Sequence, residues 1–216
     1  MAVASLAIQA RAVGADSKPD VAKSAAKSTP ATMTMAPETA EAVFAGGCFW
    51  CVESAFQVLP GVKSVVSGFS GGDTPKPTYE QVSAGKTTHA ESVQILYDPA
   101  QISYAQLLDV FWHNIDPTQA NGQFCDHGNQ YRSAIFYRDE TQHRLALESK
   151  QKIEVHKQLD KPIVTQIVAF KAFWPAEDYH QDYFLKNPAH YQSYRLGCGR
   201  DARLKELWGE AASAHR

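Results

Sequence analysis

The chain has 216 residues, 44% hydrophobic and 20% charged, a balance and length that suit one soluble globular domain with a tail. Its net charge of −2 offers no broad basic field to nucleic acid or to an anionic membrane, and no apolar run is long enough to span a bilayer. Four cysteines are too few for a disulfide scaffold in a chain of this size, so Cys48, Cys51, Cys125 and Cys198 are individual chemical candidates.

The first forty residues stand apart. "DSKPDVAKSAAKSTPATMTMAPETAE" is rich in Ala, Ser, Thr, Lys and Pro without an apolar period, the composition of a disordered leader over 1–40. Ahead of it, "MAVASLAIQARAVGA" places small residues before Asp16, as the end of a signal peptide does, but lacks a basic start and is interrupted by Gln9 and Arg11. The expected compartment is the cytoplasm, with the periplasm as the alternative if this stretch is a signal remnant.

From Glu41 the chain patterns clearly. "EAVFAG" is a strand stopped by glycine, and "CFWCVESAFQVL" a helix ended by Pro60-Gly61. "VKSVVSGFSGG" is a β-branched strand, and "ESVQILYDP" an alternating one ending at Asp98-Pro99. "SYAQLLDVFWHNI" is a helix capped by Ser103. "DPTQANGQFCDHGNQYR" has the make-up of a long loop, and long ordered loops are often functional. "SAIFYRD" is a strand, "ETQHRLALESKQKIEVHKQL" an amphipathic helix and "IVTQIVAF" a strand. One short helix is expected just past Pro175 in "WPAEDYHQDYFLKNP". Beyond Asn187 the period is weak, except that "RDARLKELWGEA" has helical spacing. This order predicts an α+β domain: a two-layer mixed sheet with packed helices, a ferredoxin-like split βαβ core over 41–186 and an irregular C-terminal arm over 187–216.

Chemistry concentrates at "AVFAGGCFWCVESAFQ". An unpaired cysteine ordinarily packs as a small hydrophobe. Cys48, however, opens a helix, where unpartnered N–H groups and the positive end of the macrodipole favour a thiolate. Glycine at 46 and 47 keeps side chains away from whatever approaches the sulfur. Phe49 and Trp50 are ordinary core aromatics by type, but one of two adjacent helical residues points off the core face. Glu91 and Asp126 read by themselves as solvated acids, and Tyr79 and Tyr131 as half-buried tyrosines.

"GGCFWCVESAFQVLPGV", "GFSGG", "PTYEQVSAGKTTHAESVQILYDP", "FWHNIDPTQANGQFCDHGNQYRSAIF" and "FWPAEDYHQDYF" together resemble the peptide methionine sulfoxide reductase A family, over about Glu41 to Asn187. The resemblance implies repair of oxidised proteins: reduction of the S-epimer of methionine sulfoxide, free or in polypeptides. It implies Cys48 as the nucleophile that becomes a sulfenic acid, and Phe49 and Trp50 as the pocket for the substrate methyl. It implies Glu91 as the acid that protonates the sulfoxide oxygen, with Tyr79, Asp126 and Tyr131 holding that oxygen and a water. A second cysteine then forms a disulfide that thioredoxin, as external reductant, reduces; no bound cofactor or metal is implied, and a monomer is expected.

The chain departs from the pattern at Cys51, where many members have glycine. Cys51 could close a local C-x-x-C disulfide, tune the Cys48 thiolate or do neither. The resemblance to glycine-rich arms makes Cys198, between Gly197 and Gly199, the expected resolving cysteine, with Cys51 as the alternative. No second cysteine follows Cys198, so no further relay along the arm is expected, and Cys125 is expected to be a bystander. Two other readings are open: a thiol–disulfide oxidoreductase built on the C-x-x-C pair, and a zinc-stabilised binding module using these cysteines with His89, His127 or His180.

Overall fold

The structure is a computed structural model, and it describes residues 39–156 and 159–212. Apart from Thr39 and Ala40, the expected leader lies outside the described residues. In chain order the elements are β1 (Ala40–Gly46), α1 (Phe49–Gln57), β2 (Val62–Ser70), α2 (Tyr79–Ser83), β3 (Ala90–Tyr97) and α3 (Tyr104–His113). A small hairpin of β4 (Gly122–Gln123) and β5 (Asp126–His127) follows, then β6 (Ser133–Tyr137), α4 (Glu140–His156), β7 (Gln166–Ala169) and β8 (Phe173–Pro175). The chain closes with α5 (Tyr183–Lys186), α6 (Pro188–Gly197) and α7 (Arg200–Trp208).

Six strands form one sheet in the order β7-β6-β1-β3-β2-β8. The inner four, β6-β1-β3-β2, are antiparallel, and α1 and α3 cross between their ends. That is the split βαβ arrangement predicted from the pattern. Strand β7 adds in parallel to β6, and β8 adds antiparallel to β2. No helix among the described residues is long and apolar enough to cross a membrane.

Period-2 alternation explains the central strand. Ala42 and Phe44 join the large cluster beneath the helices, while Val43 and Ala45 pack on the other face with Ala90, Ala134 and Phe136. The Phe44 ring lies 5.5 Å from Phe56 of α1 and 5.0 Å from Phe111 of α3, so one side chain fixes both helices on the sheet. Burying each such ring is worth about 1.5–3 kcal/mol.

Three elements depart from the pattern. Helix α2 is capped by Thr78, whose side chain accepts from the Gln81 N–H while Gln81 reaches back, a complete capping box. The segment past Pro175 is no helix: β8 ends there, and a 3-10 turn over Asp178–His180 precedes α5. In the described part of the arm, α6 is helical where irregular chain is predicted, while α7 falls on the stretch given helical spacing. Helix α6 buries Tyr191, whereas α7 buries Arg200, Leu204 and Leu207, and Gly199 at φ +70° divides the two.

That arm is anchored beside the C-terminal end of β1. Arg200 is only 2% exposed and donates to Asn114 O and to Gly46 O, both at 2.9 Å, with its guanidinium 4.3 Å over the Phe124 ring. The two glycines ahead of Cys48 serve this packing, and not access to the sulfur. A Cβ on Gly47, at φ +83°, would meet Gln123 Cβ at 2.5 Å, and one on Gly46 would meet Ile115 at 2.9 Å. Replacing Arg200 by Ala strands two buried carbonyls, so Arg200→Ala is expected to lower the unfolding free energy by about 3 kcal/mol. Urea unfolding checks this; a loss under about 0.5 kcal/mol, the level of an ordinary surface change, would contradict it.

Candidate active site

Strand β1 delivers Cys48 to the N-cap position of α1, and β3 delivers Glu91 beneath it. The Phe49 N–H, an orphan donor of the first helical turn, donates to Glu91 Oε2 at 3.0 Å. One cleft is lined by Cys48, Phe49, Trp50, Tyr79, Glu91, Asp126, Tyr131 and Tyr194. The seven residues proposed for nucleophile, acid and substrate pocket are thus brought together, from β1–α1, α2, β3 and the β5 region.

Glu91 is 2% exposed. Burial pushes its carboxyl up to about 8; the Phe49 N–H opposes this, and the neighbouring Asp126 and Cys51 add to it. The acid is therefore protonated at neutral pH and has a proton to give. The tyrosine hydroxyls stay protonated as donors: burial, followed by the Glu91 charge, pushes Tyr79 up to about 12 and raises Tyr131. Burial also raises Asp126, whose Oδ2 accepts a hydrogen bond from the Tyr194 hydroxyl.

The aromatic wall is built by long-range contacts. Phe49 is fully buried against Phe69, Tyr79 and His180. Trp50, half-buried, stacks on Tyr183 of α5 with centroids 3.8 Å apart and planes 6° apart. Its Nε1–H donates to His180 Nδ1 at 3.2 Å, so His180 is neutral with its proton on Nε2, consistent with the lowering caused by its burial. Below, the Glu53 carboxylate accepts the Asp182 N–H at 3.1 Å and holds the start of α5 under that stack.

The two inner thiols differ from a plain helix-terminus picture. Cys48 is 6% and Cys51 1% exposed, and their side chains share a hydrogen bond. Burial raises the Cys48 thiol, and Cys51 and Glu91 add to this, while the hydrogen bond with Tyr194 opposes it. Cys51 is pulled down to about 6 by that hydrogen bond from Cys48 and then by the Arg200 and Arg195 guanidiniums. The two thiols titrate as a pair, in which Cys51 is the sulfur favoured for the charge.

Cys125 and Cys198 form a disulfide, with Cα atoms 4.9 Å apart. This corrects the expectation that Cys125 is a bystander: Phe124 and Cys125 make the tip of the β4–β5 hairpin, which folds onto the junction of α6 and α7. In that state neither sulfur can ligate zinc, and the ring nitrogens of His89 are taken by Gly72 N–H at 3.2 Å and Thr74 O at 2.7 Å. Four functional positions escaped the sequence reading: Tyr191, Tyr194, Arg195 and Arg200. The first three sit at i, i+3 and i+4 in "YQSYR", one helix face, and that spacing was the available signal.

Comparison with known proteins bears on this geometry. A family model described as peptide methionine sulfoxide reductase matches residues 40–212. The peptide methionine sulfoxide reductase MsrA of Bacillus subtilis is 50% identical over 168 residues, 78% of this chain and 95% of its own length. The peptide methionine sulfoxide reductase MsrA/MsrB of Vibrio cholerae is 49% identical over 175 residues, 81% of this chain but 46% of its own, so the chain spans about half of that relative. A solved structure of methionine sulfoxide reductase A from Corynebacterium diphtheriae superposes with a TM-score of 0.64 at 34% identity, covering 71% of this chain and 77% of that one.

The raised Glu91 carboxyl has a stability consequence. Between its unfolded value, 4.5, and about 8 the folded state binds more protons than the unfolded chain, so this contribution is complete below 4.5 and fades as pH rises through about 8. Glu91→Gln is neutral throughout and is expected to flatten the fall in urea midpoint between pH 5 and pH 8. An unaltered slope in the variant would contradict a buried, protonated Glu91.

Proposed function

Because the chain belongs to the peptide methionine sulfoxide reductase family, we propose that its cleft reduces the S-epimer of methionine sulfoxide, free or in polypeptides, to methionine. Cys48 attacks the sulfoxide sulfur and hands its proton to the Cys51 thiolate. Glu91 protonates the oxygen, and Tyr79 and Tyr131 donate hydrogen bonds as charge builds there. The hydroxyl then passes to Cys48 Sγ as the S–O bond and the newly formed S–S bond break, so that methionine leaves and Cys48 is a sulfenic acid. Phe49 and Trp50 wall the methyl group of the substrate.

The observation that carries this reading is the protonated Glu91 carboxyl held beside Cys48 by the Phe49 N–H. Simple thiol–disulfide exchange offers no developing oxyanion for the tyrosines around this acid to hold. Cys51, and not the expected Cys198, is taken as the resolving cysteine, because its thiol already touches Cys48 while Cys198 is paired with Cys125; water leaves and a Cys48–Cys51 disulfide forms. A dithiol protein of the thioredoxin class supplies the electrons that close the cycle.

Each separate epimer, supplied with thioredoxin, its reductase and nicotinamide cofactor, tests the assignment: only the S-epimer is expected to yield methionine. Glu91→Gln is expected to slow single-turnover methionine formation by about 10²–10⁴, and Cys48→Ser to abolish it, since an alcohol does not replace a soft thiolate at sulfur. Consumption of the R-epimer alone, or an unchanged rate in Glu91→Gln, would contradict the proposal.

A further inference from the structure

One cluster of side chains reaches from the surface to the edge of the cleft. A carboxylate oxygen of Asp126 and the sulfurs of Cys125 and Cys198 lie within 4.8 Å of one another. Among the described residues, no other three His, Cys, Asp or Glu side chains bring ligand atoms so close. Cys125 is exposed at the hairpin tip, and Asp126 and Cys198 are partly buried, so the cluster is open to an ion from solvent.

Each of the three has the supporting contact that a metal ligand needs. The Cys125 N–H points at Cys198 Sγ, 3.3 Å away, and steadies charge on that sulfur. The Tyr194 hydroxyl donates to Asp126 Oδ2, which leaves Oδ1 facing Cys125 Sγ at 3.8 Å. The frame does not depend on the disulfide. Gln119 accepts the Phe124 N–H at 2.6 Å and donates to Phe124 O at 3.1 Å, and the Arg200 guanidinium stacks over the Phe124 ring. Hairpin and arm therefore still face each other when the disulfide opens. There is room for the sulfurs to part, since Cβ atoms added to Gly197 and Gly199 would meet nothing within 4 Å. Two Zn–S bonds of about 2.3 Å at a tetrahedral angle need sulfurs about 3.8 Å apart.

We propose that the reduced protein binds a thiophilic divalent cation of the zinc class at Cys125, Asp126 and Cys198, with water in the fourth position. The Cys125–Cys198 disulfide is the closed form of this site. A dithiol or phosphine reductant opens it, giving two electrons and two protons to the sulfurs and being oxidised itself. The two thiols then lose their protons to solvent as two metal–sulfur bonds form. Thiolate ligands select zinc-like ions over magnesium or calcium. Two thiolates and a carboxylate outweigh the dication by one negative charge, and Arg200, over Phe124, lies beside that excess. The site also bears on the cleft, a consequence that rests on the reductase reading above: the cation takes Asp126 Oδ1 from the cleft that Asp126 lines, and so slows the reaction.

Cobalt(II) is the probe, because its thiolate complexes are coloured and those of zinc are not. Full-length protein, reduced by a phosphine and freed of it without oxygen, is expected to take up one Co²⁺ per chain. A thiolate-to-cobalt charge-transfer band and tetrahedral d–d bands should appear, and one equivalent of Zn²⁺ should remove them. The form with Cys125–Cys198 closed is expected to give no such bands, although Cys48 and Cys51 are free in it. Cys125→Ser is expected to bind at least about 100-fold more weakly, beyond the roughly 10–100-fold that losing a mere supporting contact costs. No charge-transfer band in the reduced wild type, or an equal band in the closed form or in Cys125→Ser, would overturn the site. The closed form decides the matter if the variant fails to fold. One equivalent of Zn²⁺ is expected to slow single-turnover methionine formation about tenfold or more in the wild type, and not in Cys125→Ser. Equal slowing in both would overturn the link to the cleft. No methionine from metal-free wild type would overturn the reductase reading, whereas the cobalt bands report on the site alone.

Discussion

Everything in the site depends on one hydrogen bond, from the Phe49 N–H to the Glu91 carboxyl. A buried carboxyl normally either ionises against a cation or stays protonated at a cost, and here burial outweighs the Phe49 N–H and holds the proton on. The helix end takes one oxygen and leaves the other for the proton. One turn along α1, Cys51 is the sulfur favoured for the charge of the thiol pair, through its hydrogen bond from Cys48 and then through Arg200 and Arg195.

The C-terminal arm completes this arrangement. Arg200 reaches Gly46 O, the last residue of β1, and so ties the arm to the bend that presents Cys48. Tyr191 lies against Cys51, with its hydroxyl 2.6 Å from Ser54 Oγ and accepting from Arg195 Nη1 at 3.0 Å. Tyr194 closes the cleft over Asp126. A segment that looks like a loose tail in one dimension is thus a wall of the site, and its charges set where the thiol proton sits.

Much of the fold was legible because it rests on period. β1 and β6 are short apolar runs, β2 is β-branched and β3 alternates, α1, α3 and α4 carry apolar faces, and Ser103 announces α3 with the same capping box that Thr78 gives α2. Helix α2 was readable by that rule and went unread because it is one turn long. Strand β8 was not readable: three residues ending in proline pair only at the edge, on β2. In the site, Cys48 could be argued from its place at a helix start. Glu91, Asp126, Tyr79 and Tyr131 stood out only through family resemblance, since an acid or tyrosine at a strand or turn is commonplace. Tyr194 meets Asp126 across 68 positions and Cys125 meets Cys198 across 73, and no local pattern encodes such meetings.

The central claim is that Glu91 holds a proton beside Cys48 at neutral pH. Isotope-edited infrared difference spectroscopy, comparing the protein with Glu91→Gln, reads that proton directly. The account predicts a protonated carboxyl band at pH 6 to 7, lost as pH rises through about 8 and absent from the variant. A carboxylate band for Glu91 already present at pH 6 would contradict it.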